Sequence, residues 1–166
     1  MTRHDPPTAL LLGANLGDRR AVLERVAKDI TAGTPITIQS TSPVYETEPV
    51  DVGPQPWFLN QILLVRSRLS PAMLLAWTQR LEAALGRTRT RRMTPRVIDI
   101  DLLLCGPVTC RTRELTLPHP ALPRRRCILE PLAEVLPQWR HPRTGRTVAQ
   151  MLASCNDPSA VIRLNH

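Results

Sequence analysis

Residues 97–104 read Val-Ile-Asp-Ile-Asp-Leu-Leu-Leu, an apolar run interrupted only by Asp99 and Asp101. Its length and its branched residues predict a buried central strand. Side chains two positions apart on a strand point to the same face, so the two carboxylates should meet on one side while Ile100 packs on the other. The pair needs a cation, because repulsion and desolvation oppose two neighbouring negative charges on a core-like strand. Magnesium held together with substrate phosphates would supply it, and ion pairs with nearby arginines are the alternative.

The ten residues that precede this strand form a strongly basic segment. Five of them are arginine, which is dense even for a chain in which 21 of the 22 basic residues are arginine. They are Arg87, Arg89, Arg91, Arg92 and Arg96. Guanidinium groups bind phosphate oxygens in pairs, so residues 87–101 together predict a magnesium-and-polyphosphate site in an enzyme that uses ATP. Taken without the aspartates, the basic segment would also suit a solvated loop or a nucleic-acid-binding patch.

The composition favours one globular domain spanning residues 1–166. The hydrophobic fraction of 42% is ordinary for a globular protein, whereas the net charge of +8 indicates an anionic partner or a surface rich in arginine. The four cysteines have neither the C-x-x-C spacing nor the histidine partners of a zinc site, so we expect reduced thiols. The N-terminal residues have no apolar signal-peptide core, and no run is long enough to span a membrane. We therefore expect a cytoplasmic protein without a membrane partner.

The order of the predicted elements indicates the fold class. Strands are expected at residues 8–12, 36–45, 58–67 and 97–104, and helices at about 18–33 and 70–86. This strand-helix-strand-strand-helix-strand order predicts a ferredoxin-like βαββαβ sandwich of the α+β class, with an antiparallel sheet and helices on one face. A small hairpin within residues 108–117 and helices at 124–135 and 147–154 would form a C-terminal extension. Many RNA-binding domains share this order, so the fold alone does not decide the function.

Two further motifs are weak when each is taken alone. The sequence GANLGD at residues 13–18 lacks the P-loop lysine and the full Rossmann glycine spacing, so it is typical of an ordinary strand-to-helix turn. The Pro118-His119 pair is followed by three arginines at residues 124–126, which adds possible phosphate donors late in the chain.

Six segments, taken in their order and spacing, resemble the 6-hydroxymethyl-7,8-dihydropterin pyrophosphokinase family of folate biosynthesis. They are GANLGD at 13–18, YETEP at 45–49, FLN at 58–60, GRTR at 86–89, PRVIDIDL at 95–102 and LPH at 117–119. The resemblance extends over almost the whole chain, and PRVIDIDL is its most specific part. It implies an enzyme that moves the β,γ-pyrophosphoryl group of ATP onto the hydroxymethyl group of the reduced pterin and releases AMP. It also implies two Mg²⁺ ions as cofactor, ATP and 6-hydroxymethyl-7,8-dihydropterin as substrates, and no nucleic-acid partner; we expect a monomer.

The resemblance further implies roles for individual residues. Asp99 and Asp101 would hold the magnesium ions and, with Arg87 and Arg96, form the catalytic group. Contacts with ATP are implied for Gln79, Glu82, Arg89, Leu102, Thr116, His119 and Arg125. The pterin pocket is implied to contain Thr47, Val50, Phe58, Asn60 and Cys127.

The sequence also departs from the family pattern. Met93 stands where the family usually has a loop tryptophan, and Cys127 stands where an aromatic ring usually closes the second face of the pterin. Phe58 would then stack on one face only, with a thiol opposite, so we expect weaker pterin binding than two rings would give. Two alternatives remain: a degenerate member that binds nucleotide without turnover, and a ferredoxin-like RNA-binding module. The second lacks the aromatic platform on which such modules stack bases.

Overall fold

A computed structural model describes residues 5–87 and 94–165 of the chain. The elements in chain order are β1 Thr8–Ala14, α1 Arg19–Asp29, β2 Ile36–Thr41, β3 Tyr45–Thr47, β4 Phe58–Ser67, α2 Pro71–Ala84, β5 Asp99–Cys105, β6 Cys110–Arg111, β7 Thr116–Leu117, α3 Arg126–Val135, α4 Val148–Ala153 and β8 Val161–Arg163. The main sheet has the order β5-β1-β4-β3-β8, with β2 also paired to β4, and its neighbours are all antiparallel. The predicted α+β class and antiparallel sheet are therefore confirmed.

The sheet differs from the prediction at one edge. The single strand expected at residues 36–45 is divided into β2 and β3, because Ser42 leaves the ladder between them. Its hydroxyl accepts a hydrogen bond from the Ile62 amide at 2.9 Å, and its own amide donates to the Ile62 carbonyl at 2.9 Å. The short strand β8, which pairs with β3, was not predicted.

The two helices of the predicted βαββαβ unit, α1 and α2, lie on one face of the sheet, whereas α3 and α4 cover the second face, which the sequence did not predict. On the first face, Leu10 and Leu12 of β1 share a buried cluster with Leu23 of α1 and Leu74 of α2. On the second face, a separate cluster joins β1 and β4 to α3 and α4. Its members include Ala9, Leu11, Ile62, Leu64, Ile128, Leu129, Leu132 and Met151. Both sets of alternating side chains of β1 are apolar, so each face has to bury its own set against helices.

The helix starts follow local capping chemistry. The Asp18 carboxylate accepts a hydrogen bond from the Ala21 amide at 3.0 Å, and the Ser70 hydroxyl accepts one from the Met73 amide at 3.3 Å. Each side chain satisfies an amide that the first turn of a helix leaves without a partner. Within the described part of the chain, every helix is too short or too polar to cross a membrane.

Candidate active site

A cavity of about 330 Å³ lies where β1 ends and β4 and β5 begin. The strand register puts Gly13 of β1 opposite both Asn60 of β4 and Asp99 of β5. Thr47 of β3, the segments 48–57, 94–96 and 119–125, and the start of α3 contribute the rest of the wall. Ten residues predicted for the site line this one cavity: Thr47, Val50, Phe58, Asn60, Arg96, Asp99, Asp101, His119, Arg125 and Cys127.

The two aspartates of β5 face the cavity together. Ile100 between them is 4% exposed and packs in the cluster under α1 and α2, as the strand alternation predicted. Asp99 is held by two guanidinium groups: Arg87 Nη1 lies 2.8 Å from its Oδ1, and Arg96 Nη1 binds its Oδ2. The two explanations offered for the pair, arginine ion pairs and a metal, therefore involve the same carboxylate.

Among the residues that the structure describes, no guanidinium group forms an ion pair with Asp101, and its surroundings disfavour its charge. Burial first, and then the negative charges of Asp99 and Glu82, raise the pKa of Asp101 to about 7, although the charges of Arg87 and Arg96 act in the opposite direction. A cation bound between the aspartates would stabilise the charged form of Asp101.

The donor set of this end of the cavity suits magnesium. Two carboxylates on one face of a strand are the usual protein contribution to a site whose other ligands are water and substrate phosphates. Asp99 and Asp101 are the residues that would hold the metal.

Glu82 acts on the site from behind β5. The residue is 5% exposed, and its Oε1 accepts a hydrogen bond from the Ile100 amide at 2.6 Å. Its Oε2 binds the Arg87 guanidinium, which also reaches Asp99. In the structure the Glu82 carboxylate thus holds Arg87 and the Ile100 amide, and the contact with ATP that the resemblance implied stays a prediction.

His119 presents one ring nitrogen for a ligand. Its Nδ1 accepts a hydrogen bond from the Ala121 amide at 3.2 Å, so the neutral ring carries its proton on Nε2. Burial lowers the pKa of His119, although the charge of Asp99 acts in the opposite direction. The ring is therefore a neutral donor at physiological pH. Thr116 and His119 also line an adjoining recess of about 400 Å³.

The other end of the cavity has a mixed apolar and hydrogen-bonding wall. Asn60 Nδ2 donates to Thr47 Oγ1 at 2.5 Å, which fixes the amide beside Phe58. A Cβ added to Gly13 would lie 2.9 Å from Asn60 Oδ1, so only glycine allows this close approach. Burial raises the pKa of the Cys127 thiol to about 11, which keeps this wall neutral.

An ion pair joins the two sides of the cavity. Arg125, just before α3, binds Asp51 of the segment 48–57, with 2.7 Å between Nη2 and Oδ2. Asp51 has a φ of 57°, and its side chain is 74% exposed. The sequence offered no signal for Asp51, because an acidic residue in a polar loop is ordinary.

Two residues predicted to contact ATP, Leu102 and Gln79, do not line the cavity. The Leu102 side chain is 3% exposed and belongs to the core under α1 and α2, so it does not face the cavity. The Ile100 amide points to the outer edge of β5, and by the alternation of an antiparallel ladder the backbone of Leu102, two residues along, points the same way. Gln79 is exposed on α2 and does not line the cavity. Arg89, like Met93, lies outside the described residues.

Asn15 belongs to the site's surroundings, although its sequence context did not predict this. It is 2% exposed and lies in the GANLGD turn, which alone is typical of a strand-to-helix connection. Its Oδ1 accepts a hydrogen bond from the Arg96 amide at 2.7 Å, and its Nδ2 donates to the Pro56 carbonyl at 3.1 Å. It therefore joins two segments that line the cavity.

Comparison with known proteins gives one family. The sequence profile of 7,8-dihydro-6-hydroxymethylpterin-pyrophosphokinase (HPPK) matches residues 9–137. A 2-amino-4-hydroxy-6-hydroxymethyldihydropteridine pyrophosphokinase of Bacillus subtilis (strain 168) is 38% identical over 141 residues, covering 85% of this chain and 84% of that protein. A protein of the same description from Methylorubrum extorquens is 39% identical over 153 residues, covering 92% of this chain and 95% of that protein.

Solved structures agree with this fold. The chain matches an HPPK-DHPS structure in complex with substrates with a TM-score of 0.74 at 14% identity, covering 90% of this chain and 43% of that chain. The chain thus spans less than half of that solved protein, and at this identity the likeness shows the fold alone. The RNA-binding module is not favoured, because the matched relatives are pyrophosphokinases. From its profile match and from its curated relatives, the chain belongs to the 7,8-dihydro-6-hydroxymethylpterin-pyrophosphokinase family.

Proposed function

We propose that this protein transfers the β,γ-pyrophosphoryl group of ATP to the hydroxymethyl group of 6-hydroxymethyl-7,8-dihydropterin. The observation that carries the proposal is that one cavity joins the Asp99–Asp101 pair to the wall formed by Thr47, Phe58 and Asn60. A polyphosphate suits the first end, and a flat ring with hydrogen-bonding edges suits the second. The two reactants would meet between them.

The proposed reaction is a displacement at the β-phosphorus. The pterin hydroxyl oxygen forms a bond to that phosphorus, the bond from the phosphorus to the α-phosphate oxygen breaks, and AMP leaves while the hydroxyl proton is released. Such a transfer depends on positioning and on charge stabilisation more than on covalent catalysis. Magnesium held by Asp99 and Asp101 would neutralise charge on the phosphates.

Different residues at the cavity would bind the phosphates and the pterin. Arg87 and Arg96 can exchange their contact with Asp99 for contacts with phosphate oxygens, since guanidinium binds both kinds of oxyanion. His119 Nε2–H can donate to the nucleotide phosphates, and Arg125 can add a charged donor beside it. Asn60 and Thr47 orient the pterin, with Phe58 against one face of the ring.

The wider arrangement is also proposed. We infer a ferredoxin-like βαββαβ unit from β1 to β5, supported by the pairing order β5-β1-β4, with the remaining elements as a C-terminal extension. We infer a cytoplasmic monomer that uses ATP and magnesium and has no nucleic-acid partner. Sedimentation velocity of the purified protein, with and without RNA, tests the monomeric state and the absence of a nucleic-acid partner.

The central experiment follows AMP. The protein is incubated with ATP, Mg²⁺ and the reduced pterin, and AMP is measured by chromatography with pterin omitted as the control. The expected result is AMP that depends on pterin and is lost in Asp99→Asn but kept in Asp29→Asn, a matched change on α1. Magnesium-dependent ATP binding without AMP would instead establish a member that binds nucleotide without turnover.

A further inference from the structure

The recess beside Thr116 and His119 has charged groups of its own. Its volume is about 400 Å³, and of the described residues that line it, only His119 also lines the cavity of the Asp99–Asp101 pair. The remaining wall includes Arg111, His141, Arg143 and three prolines, and none of the described lining residues is acidic. A concave surface with this balance of charge favours an anion.

Strand alternation places this recess away from α2. In the β6-β7 pair, Cys110 lies opposite Leu117, and both pack in the cluster on the first face of the sheet, under α1 and α2. The next pair, Arg111 opposite Thr116, therefore points the other way, toward the second face. The turn at 141–146 lies between Trp139 and Val148, which pack in the cluster of the second face. The recess is thus separated by the sheet from Gln79 and Glu82 of α2, which were predicted to contact ATP.

Three donors of the recess have no acceptor among the residues that the structure describes. Arg111 and Arg143 are exposed and form no ion pair there. His141 is only 7% exposed, and its Nδ1 accepts a hydrogen bond from the Arg143 amide at 3.3 Å. Burial and then the charge of Arg143 lower the pKa of His141, so the ring is neutral with its proton on Nε2. A nearly buried N–H ordinarily has a partner, and an anion in the recess would supply one.

Backbone hydrogen bonds fix the turn that carries two of these donors. The His141 amide donates to the Arg146 carbonyl at 2.9 Å, and the Gly145 amide donates to the His141 carbonyl at 2.8 Å. Arg140 Nη1 donates to the Gly145 carbonyl at 3.0 Å, and Gly145 has a φ of 69°, which favours glycine. The His141 ring is therefore held in place before a ligand arrives.

We propose that this recess is a second oxyanion site, which binds a phosphate dianion through Arg111, His141 and Arg143 and is separate from the ATP site. Guanidinium groups bind phosphate oxygens in pairs, and a neutral imidazole N–H adds a donor without adding charge. The phosphate can be free or the terminal group of a small ester, whose organic part would lie against the three prolines. This inference does not depend on the proposed function.

The test follows the His141 ring by NMR. Inorganic phosphate is titrated into histidine-labelled protein in a phosphate-free buffer at constant pH and ionic strength, after sequence-specific assignment. The His141 signals should shift and saturate. Phenyl phosphate is then titrated in the same way: tighter binding than inorganic phosphate indicates an ester as the ligand, and weaker binding indicates free phosphate. If neither compound shifts the His141 signals, the proposal is wrong.

Two exposed arginines allow the site to be weakened without a loss of folding, which thermal unfolding checks. Arg111→Ala and Arg143→Ala should each raise the Kd of phosphate by roughly tenfold, as expected for one charge-assisted hydrogen bond. Arg113→Ala removes the same charge from the same hairpin but does not line the recess. It should change the Kd by less than about twofold, because salt screens an exposed charge. Equal effects of all three variants would show general attraction of anions and overturn the site.

A final titration separates this site from the ATP site. Phosphate is added in the presence of saturating Mg²⁺ and α,β-methylene-ATP, and its Kd at His141 should be unchanged. Loss of the response would assign the recess to ATP and refute a second site. The proposed function fails independently: a protein that binds phosphate at His141 but forms no AMP keeps this site, whereas AMP formation without a His141 response refutes the site alone.

Discussion

Glu82 offers the sharpest test of how the site is held together. Glu82→Ala removes the acceptor of the buried Ile100 amide and one partner of Arg87. An unsatisfied buried amide costs about 1–3 kcal/mol. Arg87 is 25% exposed and keeps Asp99, so the lost ion pair adds about 1 kcal/mol or less. We expect the free energy of unfolding to fall by about 1–4 kcal/mol, and Tm by roughly 2–16 °C.

Glu82→Gln separates the hydrogen bond from the charge. Its amide oxygen can still accept from Ile100, so it should lose less than about 1 kcal/mol. Burial raises the pKa of Glu82, so the folded wild type binds more protons than the unfolded chain above pH 4.5. The free energy of unfolding of the wild type should therefore fall, relative to that of the glutamine variant, as pH rises from 4.5 through the raised pKa of Glu82.

Urea denaturation followed by circular dichroism measures these differences. Glu24→Ala on the exposed side of α1 is the control, and it should change the free energy of unfolding by about 0.5 kcal/mol or less. Equal losses for the alanine and glutamine variants would refute the role of the Ile100 hydrogen bond. A loss within about 0.5 kcal/mol for Glu82→Ala would refute the whole account.

Three other measurements address the cavity itself. Cys127→Phe should tighten pterin binding by up to about tenfold, since an added ring pair contributes roughly 0.5–1.5 kcal/mol beyond burial, and equal affinities in calorimetry would contradict this. The rate at which iodoacetamide alkylates Cys127, followed by peptide mass spectrometry, should rise about tenfold per pH unit up to about 11, because burial raises the thiol pKa; a flat profile would disagree. Gly13→Ala should weaken pterin binding by displacing Asn60, and an unchanged Kd would show that Asn60 is not part of the pterin wall.

Much of the fold follows from local pattern. The strand predicted at 58–67 is the strand observed, because its apolar residues continue without a turn signal. The division of 36–45 has one local signal, Pro43, which has no amide to donate to a strand ladder, whereas the contacts of Ser42 with a residue twenty positions away could not be predicted. The covering of the second face was also missed, because helix patterns give the direction of an apolar stripe but not the face of the sheet that receives it.

Some residues of the candidate site could likewise be predicted from the sequence and others could not. The Asp99–Asp101 pair could be found because strand alternation is a local property. Glu82 was named only through the resemblance and Asn15 was not named as a site residue, since the contacts of both depend on which distant backbone amide lies beside them. A buried carboxylate near a helix end has no sequence signal that distinguishes support of an arginine from contact with a ligand.

The contact between Glu82 and Ile100 also bears on solubility. In the described sheet β5 is an outermost strand, and its outer backbone groups could pair with a strand of another chain. The Glu82 carboxylate occupies the Ile100 amide, and the His119 amide occupies the Leu103 carbonyl at 2.8 Å. The strand that carries the aspartates is thus protected against edge-to-edge aggregation by side chains and backbone of its own chain, while its face stays open to small ligands.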